Sequence, residues 1–131
     1  MDSRPVVDTD ILIDYLRGRG PGAGLLDQLG PRGYLVTAIS AFELALGSSH
    51  GQDRRPVLAL LDTSALGLSP AAGLRSGEIL AALRAKGTAI DVRDALQAGI
   101  CVEANRPLVS KNHRRFARIA ELRLFGPETW D

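Results

Sequence analysis

Apolar residues along this chain come in two rhythms: runs too short for a helix, and stretches that recur at a 3.6-residue period. Val6 and Val7, both β-branched, make the first short run. Asp8, Thr9 and Asp10 follow, and then Ile11, Leu12, Tyr15 and Leu16 share one helical stripe. The pattern predicts a buried strand that ends on a carboxylate and passes directly into a helix. Gly18, Gly20, Pro21 and Gly22 interrupt it, and Leu25, Leu26 and Leu29 mark a second, short helix that closes at Gly30.

Tyr34, Leu35 and Val36 read as a second strand, closed by residues 37–40. Phe42, Leu44, Ala45 and Leu46 begin the next helix, which fades into a polar, glycine-containing loop at 47–51. VLALLD, within residues 52–62, fits a helix or a buried strand by periodicity, and helix is the preferred reading. A third strand is expected over 65–69. Ser69 or Pro70 then opens a helix that runs to about Lys86 and stops at Gly87. From Asp91 to Asn105 the residues Ala95, Leu96, Ala98, Gly99, Ile100, Cys101 and Val102 leave almost no polar face, the mark of a buried helix. A brief strand at 107–110, a short helix at 112–119 and a last strand at 122–125 complete the series. Strands alternating with helices imply an α/β fold, a mostly parallel sheet of four or five short strands with helices on both faces. With no internal repeat and no linker, residues 1–131 are read as one domain.

Composition agrees: 131 residues, 45% apolar and 24% charged, suffice for one domain with a real core. A formal net charge of +1 excludes a protein that coats nucleic acid by charge alone. An anionic partner must therefore meet a local patch, and one exists: Arg106, Lys111, Arg114, Arg115, Arg118 and Arg123 face only Glu121 as an opposing acid in that stretch. Its ordinary explanation is a solvated helix face. Cys101 is the single cysteine, so no disulfide can form within the chain, and it is expected to be a buried structural thiol in a reducing compartment. No apolar run approaches the roughly 20 residues needed to cross a bilayer. A soluble cytoplasmic protein is expected.

The acids carry the candidate chemistry. Each has an innocent explanation: Asp8 or Thr9 can cap the first helix, Ser40-x-x-Glu43 is a capping box, and Asp91 with Asp94 can cap the buried helix and meet its dipole. Yet Asp8, Glu43 and Asp94 all fall just after a strand or at the start of a helix, so all three can face one sheet edge. Gathered there they repel, and without a cation at least one carboxyl would be raised in pKa and protonated. Hard oxygen ligands suit Mg²⁺ or Mn²⁺, and the chemistry suggested is hydrolysis of a phosphodiester.

These stretches resemble the PIN-domain ribonucleases, in particular the VapC-type toxins of bacterial toxin–antitoxin pairs. VVDTDILIDYL resembles the family's opening strand with its first acid, ISAFELALG its second motif, and AIDVRDALQAGICVEANRPLVSKN its third and fourth, over nearly the full chain. The resemblance implies a three-layer PIN-like fold. It implies that Asp8 and Asp94 bind Mg²⁺ or Mn²⁺, with Glu43 binding directly or through water, and that Asn112 occupies the fourth catalytic position, where many relatives carry aspartate. Arg115 stands before Phe116, where another acid is frequent, so one metal ion, or a second recruited with RNA, is expected. Thr9, Asp10, Ser110 and Asp91 are expected to support the ligands, Ser110 by hydrogen-bonding a ligand carboxylate. Lys111, Arg114, Arg115 and Arg118 are expected to meet RNA. Asp14 is expected at the surface, with contact to the cation as the alternative, and His50 and His113 in solvent, with contact to RNA as the alternative for His113. The resemblance further implies cleavage of RNA to a 5′-phosphate and a 3′-hydroxyl, a homodimer, and a small VapB-like antitoxin as partner.

Two other readings compete. A receiver-type phosphoacceptor module would use Asp8 with Asp10, Asp62 after VLALL, and Lys111, but it leaves Glu43 and Asp94 without a role. A catalytically silent PIN domain would only bind RNA or protein.

Overall fold

The computed structural model describes residues 4–47, 53–62 and 65–126. Its strands are two residues long. β1 (Val6–Val7) pairs in parallel with β4 (Leu108–Val109), and β2 (Val36–Thr37) pairs in parallel with β3 (Ala65–Leu66). A parallel bridge between Val6 and Leu35 joins the two pairs, and another between Leu108 and Leu124 adds an edge. The order across the sheet is therefore β3, β2, β1, β4 and residue 124, parallel throughout.

Alternation along these strands builds the layers. Val6, Leu35 and Leu108 point into one core with Ile79, Leu83, Ala98, Cys101 and Phe116. Their neighbours Val7, Val36 and Val109 point into the other, with Ile11, Leu12, Leu25, Leu44 and Leu60. A period of two applied to a sheet buried on both faces gives a three-layer α/β sandwich. The second core is covered by α1 (Thr9–Arg17), α2 (Pro21–Leu29), α3 (Ala38–Gly47) and α4 (Arg55–Leu61). The first is covered by α5 (Pro70–Ala85), α6 (Val92–Glu103) and α7 (His113–Phe116).

Most expected elements form, with their edges moved for identifiable reasons. The strand expected over 65–69 is reduced to Ala65–Leu66, since Ser69 turns to cap α5 and its hydroxyl accepts the Ala72 N–H at 3.1 Å. The helix expected over 112–119 ends at Phe116. Beyond it, tight turns (Ile119 N–H to Phe116 C=O, 3.0 Å; Leu122 N–H to Ile119 C=O, 3.3 Å) swing Ile119 and Leu122 into the core. The strand expected at 122–125 is a single bridge at Leu124, flanked by hydrogen bonds between Leu108 and residues 123 and 125. Tyr15 leaves the predicted stripe and is 41% exposed. Residue 47 closes α3, while 48–51 and His50 lie outside the described residues. VLALL is helical, in α4, and Asp62 is an exposed C-cap residue rather than the end of a central strand. That placement removes the phosphoacceptor of the receiver-type reading.

Cys101 is fully buried, and burial pushes its thiol pKa far up, with the negative charge of Asp8 adding to the effect. It is an inert structural thiol, as expected.

The α5–α6 contact depends on Gly99. A β-carbon there would lie 1.9 Å from the Ser76 hydroxyl and 2.8 Å from both Ser76 Cβ and Ser76 N. Gly99→Ala is therefore expected to lower stability by about 1–3 kcal/mol through overpacking, measured by chemical denaturation. Adding Ser76→Ala should not restore it, because the Ser76 backbone nitrogen remains in the way.

Candidate active site

Asp8 follows β1 at the carboxyl edge of the sheet and occupies the N-cap position of α1. Only its backbone caps: the C=O accepts N–H bonds from Ile11 (3.1 Å) and Leu12 (3.3 Å). The buried carboxylate turns across the sheet edge instead, accepting from Ser110 Oγ at 2.8 Å and from Gln97 Nε2 at 3.0 Å. Thr9 does not cap either. Its hydroxyl donates to Glu43 Oε1 at 2.8 Å and lies 2.9 Å from Ser40 Oγ. The Ser40–Glu43 capping box is likewise not formed, because α3 starts at Ala38. Thr37 serves its first turn, its hydroxyl accepting the Ser40 N–H at 3.2 Å. Both side chains of the pattern are thereby free for other partners.

The partner that ties these groups together is Gln97, which is 1% exposed and was not among the residues predicted from the sequence. Its orientation follows from donor counting. The Thr37 hydroxyl accepts from Ser40 N–H and so donates its one proton to Gln97 Oε1. The Gln97 amide nitrogen then gives its two protons to Asp8 Oδ1 and Ser40 Oγ, at 3.0 and 3.1 Å. Ser40 in turn donates to Thr9, and Thr9 to Glu43. One directed chain thus holds the Asp8 and Glu43 carboxylates as acceptors at its two outlets. The signal available in the sequence was one uncharged polar residue inside the otherwise apolar ALQAGICV.

The remaining acids divide by their partners. Asp10 Oδ2 accepts the Lys111 N–H (2.9 Å) and lies 3.2 Å from Ser110 Oγ, so it shares with Asp8 the one Ser110 proton, while its buried Oδ1 has no hydrogen-bond partner. Asp14, expected at the surface, is buried: it receives Gly22 N–H at 3.0 Å and Lys111 Nζ at 2.8 Å. Lys111, expected to meet RNA, is thereby engaged inside the protein. Asp94, in the first turn of α6, accepts from Arg115 Nη1 at 2.9 Å. Glu43 lies 3.8 Å from Arg93, which also pairs with Asp91 at 3.3 Å. Asp91 does cap α6, accepting Arg93 N–H at 2.8 Å. His113 is buried rather than solvated, and its Nε2 has no partner.

The basic stretch does not form one uniform stripe. Arg118 reaches the carbonyls of Thr88 and Ala89, Arg123 reaches Asn105, and Arg106 reaches the Arg4 carbonyl. Arg114 is exposed.

Asp8, Asp10, Glu43, Asp91, Asp94 and Asn112 line one cleft of about 290 Å³ together with Thr9, Arg93 and Arg115. The four predicted catalytic positions, from four separate parts of the chain, therefore share it. Desolvation pushes Asp8 up to about 7, with Asp10's charge adding and the Ser110, Thr9 and Gln97 donors opposing. Burial likewise raises Asp10, against Lys111 N–H and Ser110, and raises Asp94, against Arg115. Asp14 is lowered, because Lys111 and the Gly22 N–H outweigh its burial. An all-oxygen donor set, carboxyls raised by lack of compensation and an orphaned Asp10 oxygen fit a hard divalent cation. Among the described residues, however, no three acids are drawn together as a ready-made ligand cage. Asp94 and Glu43 are paired with arginines, and Asp8 is turned to Ser110 and Gln97.

The PIN domain family model matches residues 6–122. A comparison with curated proteins gives no match. Among solved structures, the chain is similar to VapBC2 of Rickettsia felis bound to a DNA fragment from their promoter, with a TM-score of 0.80 and 23% identity, covering 92% of this chain and 96% of that one. It is similar to a toxin–antitoxin complex of Klebsiella pneumoniae (TM-score 0.71, 25% identity, 90% and 94% covered) and to FitAcB of Neisseria gonorrhoeae (0.77, 18%, 93% and 96%).

Two stability measurements test this arrangement in metal-free protein. An acid whose folded pKa is raised binds its proton more readily in the folded state, so its contribution to stability is present at low pH and declines as pH rises from about 4 to about 7. Asp8→Asn removes that decline. The variant's stability relative to wild type should therefore rise across this window, by about 1–3 kcal/mol, in denaturation curves at pH 5 and pH 8. Gln97→Leu leaves Thr37, Ser40 and Asp8 short of partners and should cost about 1–3 kcal/mol at either pH.

Proposed function

Because the chain belongs to the PIN domain family, with residues 6–122 matched, we propose that it is a metal-dependent endoribonuclease of VapC type, the toxin of a type II toxin–antitoxin pair. The observation that carries this reading is the convergence of Asp8, Glu43, Asp94 and Asn112 in one cleft.

Asp8, Asp94 and Glu43 would hold Mg²⁺ or Mn²⁺, the last directly or through water. Bound there, such an ion supplies Lewis-acid activation of water and offsets the negative charge that develops on a phosphoryl oxygen during hydrolysis. The chain's own residues prepare the place. Ser110 and Gln97 fix the Asp8 carboxylate from two sides, and Thr9 fixes Glu43. Asp10 holds the turn after β4 by its bond to Lys111 N–H, while Ser110 Oγ accepts the Asn112 N–H at 3.0 Å, so the Asn112 carboxamide is presented from a fixed backbone. Asn112 is suited to donate to a phosphate oxygen, and the exposed Arg114 and Arg118 to approach the RNA backbone. No side-chain nucleophile is needed, and attack by water would leave a 5′-phosphate and a 3′-hydroxyl.

Partners follow from the same reading. The solved structures that the chain resembles include toxin–antitoxin complexes, which supports a small VapB-like antitoxin here. Phe42, Leu46 and Leu58, each more than half exposed on α3 and α4, offer apolar area to a protein partner. A homodimer and a cytoplasmic site of action belong to the proposal; among the described residues no helix is long and apolar enough to cross a membrane.

Purified protein freed of any antitoxin is expected to cleave RNA with Mg²⁺ or Mn²⁺ and not with EDTA. Asp8→Asn and Asp94→Asn should each lower the rate by at least about 100-fold, and expression of wild type, but not of Asp8→Asn, should arrest growth. Undiminished cleavage by both variants would sink the assignment. A protein that binds RNA but cleaves none with either ion would be the silent domain instead.

A further inference from the structure

Resting on that reading, we infer that Arg115 is a built-in occupant of the cation site: it holds Asp94 in the metal-free protein, leaves it when the metal binds, and then serves a phosphate of the RNA. Metal loading and presentation of a guanidinium to substrate would be one linked event.

Three observations carry this. First, two of the three proposed ligands are already paired with guanidinium groups of the same chain, Asp94 with Arg115 at 2.9 Å and Glu43 with Arg93 at 3.8 Å. Asp8, by contrast, has neutral donors, Ser110 and Gln97. Two of the three proposed ligands thus already have cations of this chain as partners. Second, the Asp94–Arg115 pair is placed to exchange. The Arg115 side chain is 41% exposed and that of Asp94 21%, so the guanidinium sits at the mouth with solvent to turn into. The Asp14–Lys111 pair, at 10% and 29%, is more enclosed, and Asp14 is further fixed by Gly22 N–H. A partly exposed pair of this kind is weak and yields to a divalent ion. Third, a guanidinium matches a phosphate as well as it matches a carboxylate, by the same two parallel donors. Once Asp94 turns to the metal, the released fork lies in the cleft that also contains Asn112.

Linkage makes the consequence symmetric: if metal draws Asp94 from Arg115, a phosphate that draws Arg115 from Asp94 must tighten the metal by the same factor. An electrostatic benefit accompanies it. With five carboxylates and two arginines lining the cleft, an anionic strand is repelled until the ion is bound, and Arg115 becomes available at that stage.

Mn²⁺ binding measured by titration calorimetry tests the first half. Arg115→Gln, which removes the competitor, should bind Mn²⁺ about two- to fivefold more tightly than wild type, and Arg115→Lys should fall between them. The second half is read by anisotropy of a labelled mixed-sequence 20-nucleotide RNA, once in EDTA and once with Ca²⁺, its integrity checked on a gel. Arg115→Gln should leave binding in EDTA within about twofold and weaken the Ca²⁺ form about three- to tenfold. Unchanged or weaker Mn²⁺ binding by Arg115→Gln overturns the inference, as does equal loss of RNA binding in EDTA and Ca²⁺. Asp8→Asn separates the two levels: if it binds Mn²⁺ as wild type does, the metal site itself is wrong, whereas loss of binding there alongside an indifferent Arg115→Gln refutes only the role of Arg115.

Discussion

The constraint on which this structure turns is the burial of the Asp8 carboxylate among neutral donors. A charge removed from water must be met by hydrogen bonds or by a counter-charge, or else it takes up a proton. Here two side-chain donors meet it incompletely, and its pKa stays near 7. Strand order explains how those donors arrive. β1 lies between β2 and β4, so the segments after the flanking strands open beside its carboxyl end. The first brings Thr37 and Ser40, the second brings Ser110, and α6 lays Gln97 across them. Every buried hydroxyl and amide in that layer is oriented by the need to leave two carboxylates as acceptors.

Depth then sorts the other acids by the permanence of their pairing. Asp14 and Lys111 form the enclosed pair, which together with the Gly22 N–H joins α1, α2 and the turn after β4. A β-carbon at Gly22 would stand 2.9 Å from Ile11 Cα, so the close approach of α2 to α1 and the burial of Asp14 depend on the same residue. Nearer the cleft mouth, Asp94 and Glu43 have arginines that solvent also reaches. The deep cation is a fixture of the fold. The shallow ones balance charge at the mouth of the cleft.

Much of this was legible in the sequence. The change from a β-branched pair to a helical stripe at Asp8, the largely apolar helix after Asp91 and the alternation of short runs located the sheet edge and brought Asp8, Glu43 and Asp94 to it, while Asn112 came only from the resemblance to the PIN-domain ribonucleases. What stayed hidden depended on contacts between distant segments. Asp14 is one turn beyond Asp10 on a helix whose polar face looks solvated, and only the arrival of Lys111 makes a buried ion pair there. Gln97 in an apolar helix reads as a flaw in the pattern until three polar groups from other elements are set around it.

The Ser40–Glu43 pattern shows why local rules failed at these positions in particular. A helix N-terminus asks for side chains that accept N–H bonds, and a cation site asks for side chains that are acceptors as well, so the same residue types suit both. Which use prevails depends on whether a distant group claims the side chain. Ser69 and Asp91 cap their helices through N–H groups two or three residues on. Thr9, Ser40 and Asp8 are claimed instead by partners 31 to 102 residues away. At Ser40 the cap could be given up because Thr37, three residues earlier, supplied it. At Asp8 no side chain replaces it, and the helix begins on backbone bonds alone. The Asp8 carboxylate, not used for capping, is held by Ser110 and Gln97 from behind and lines the cleft.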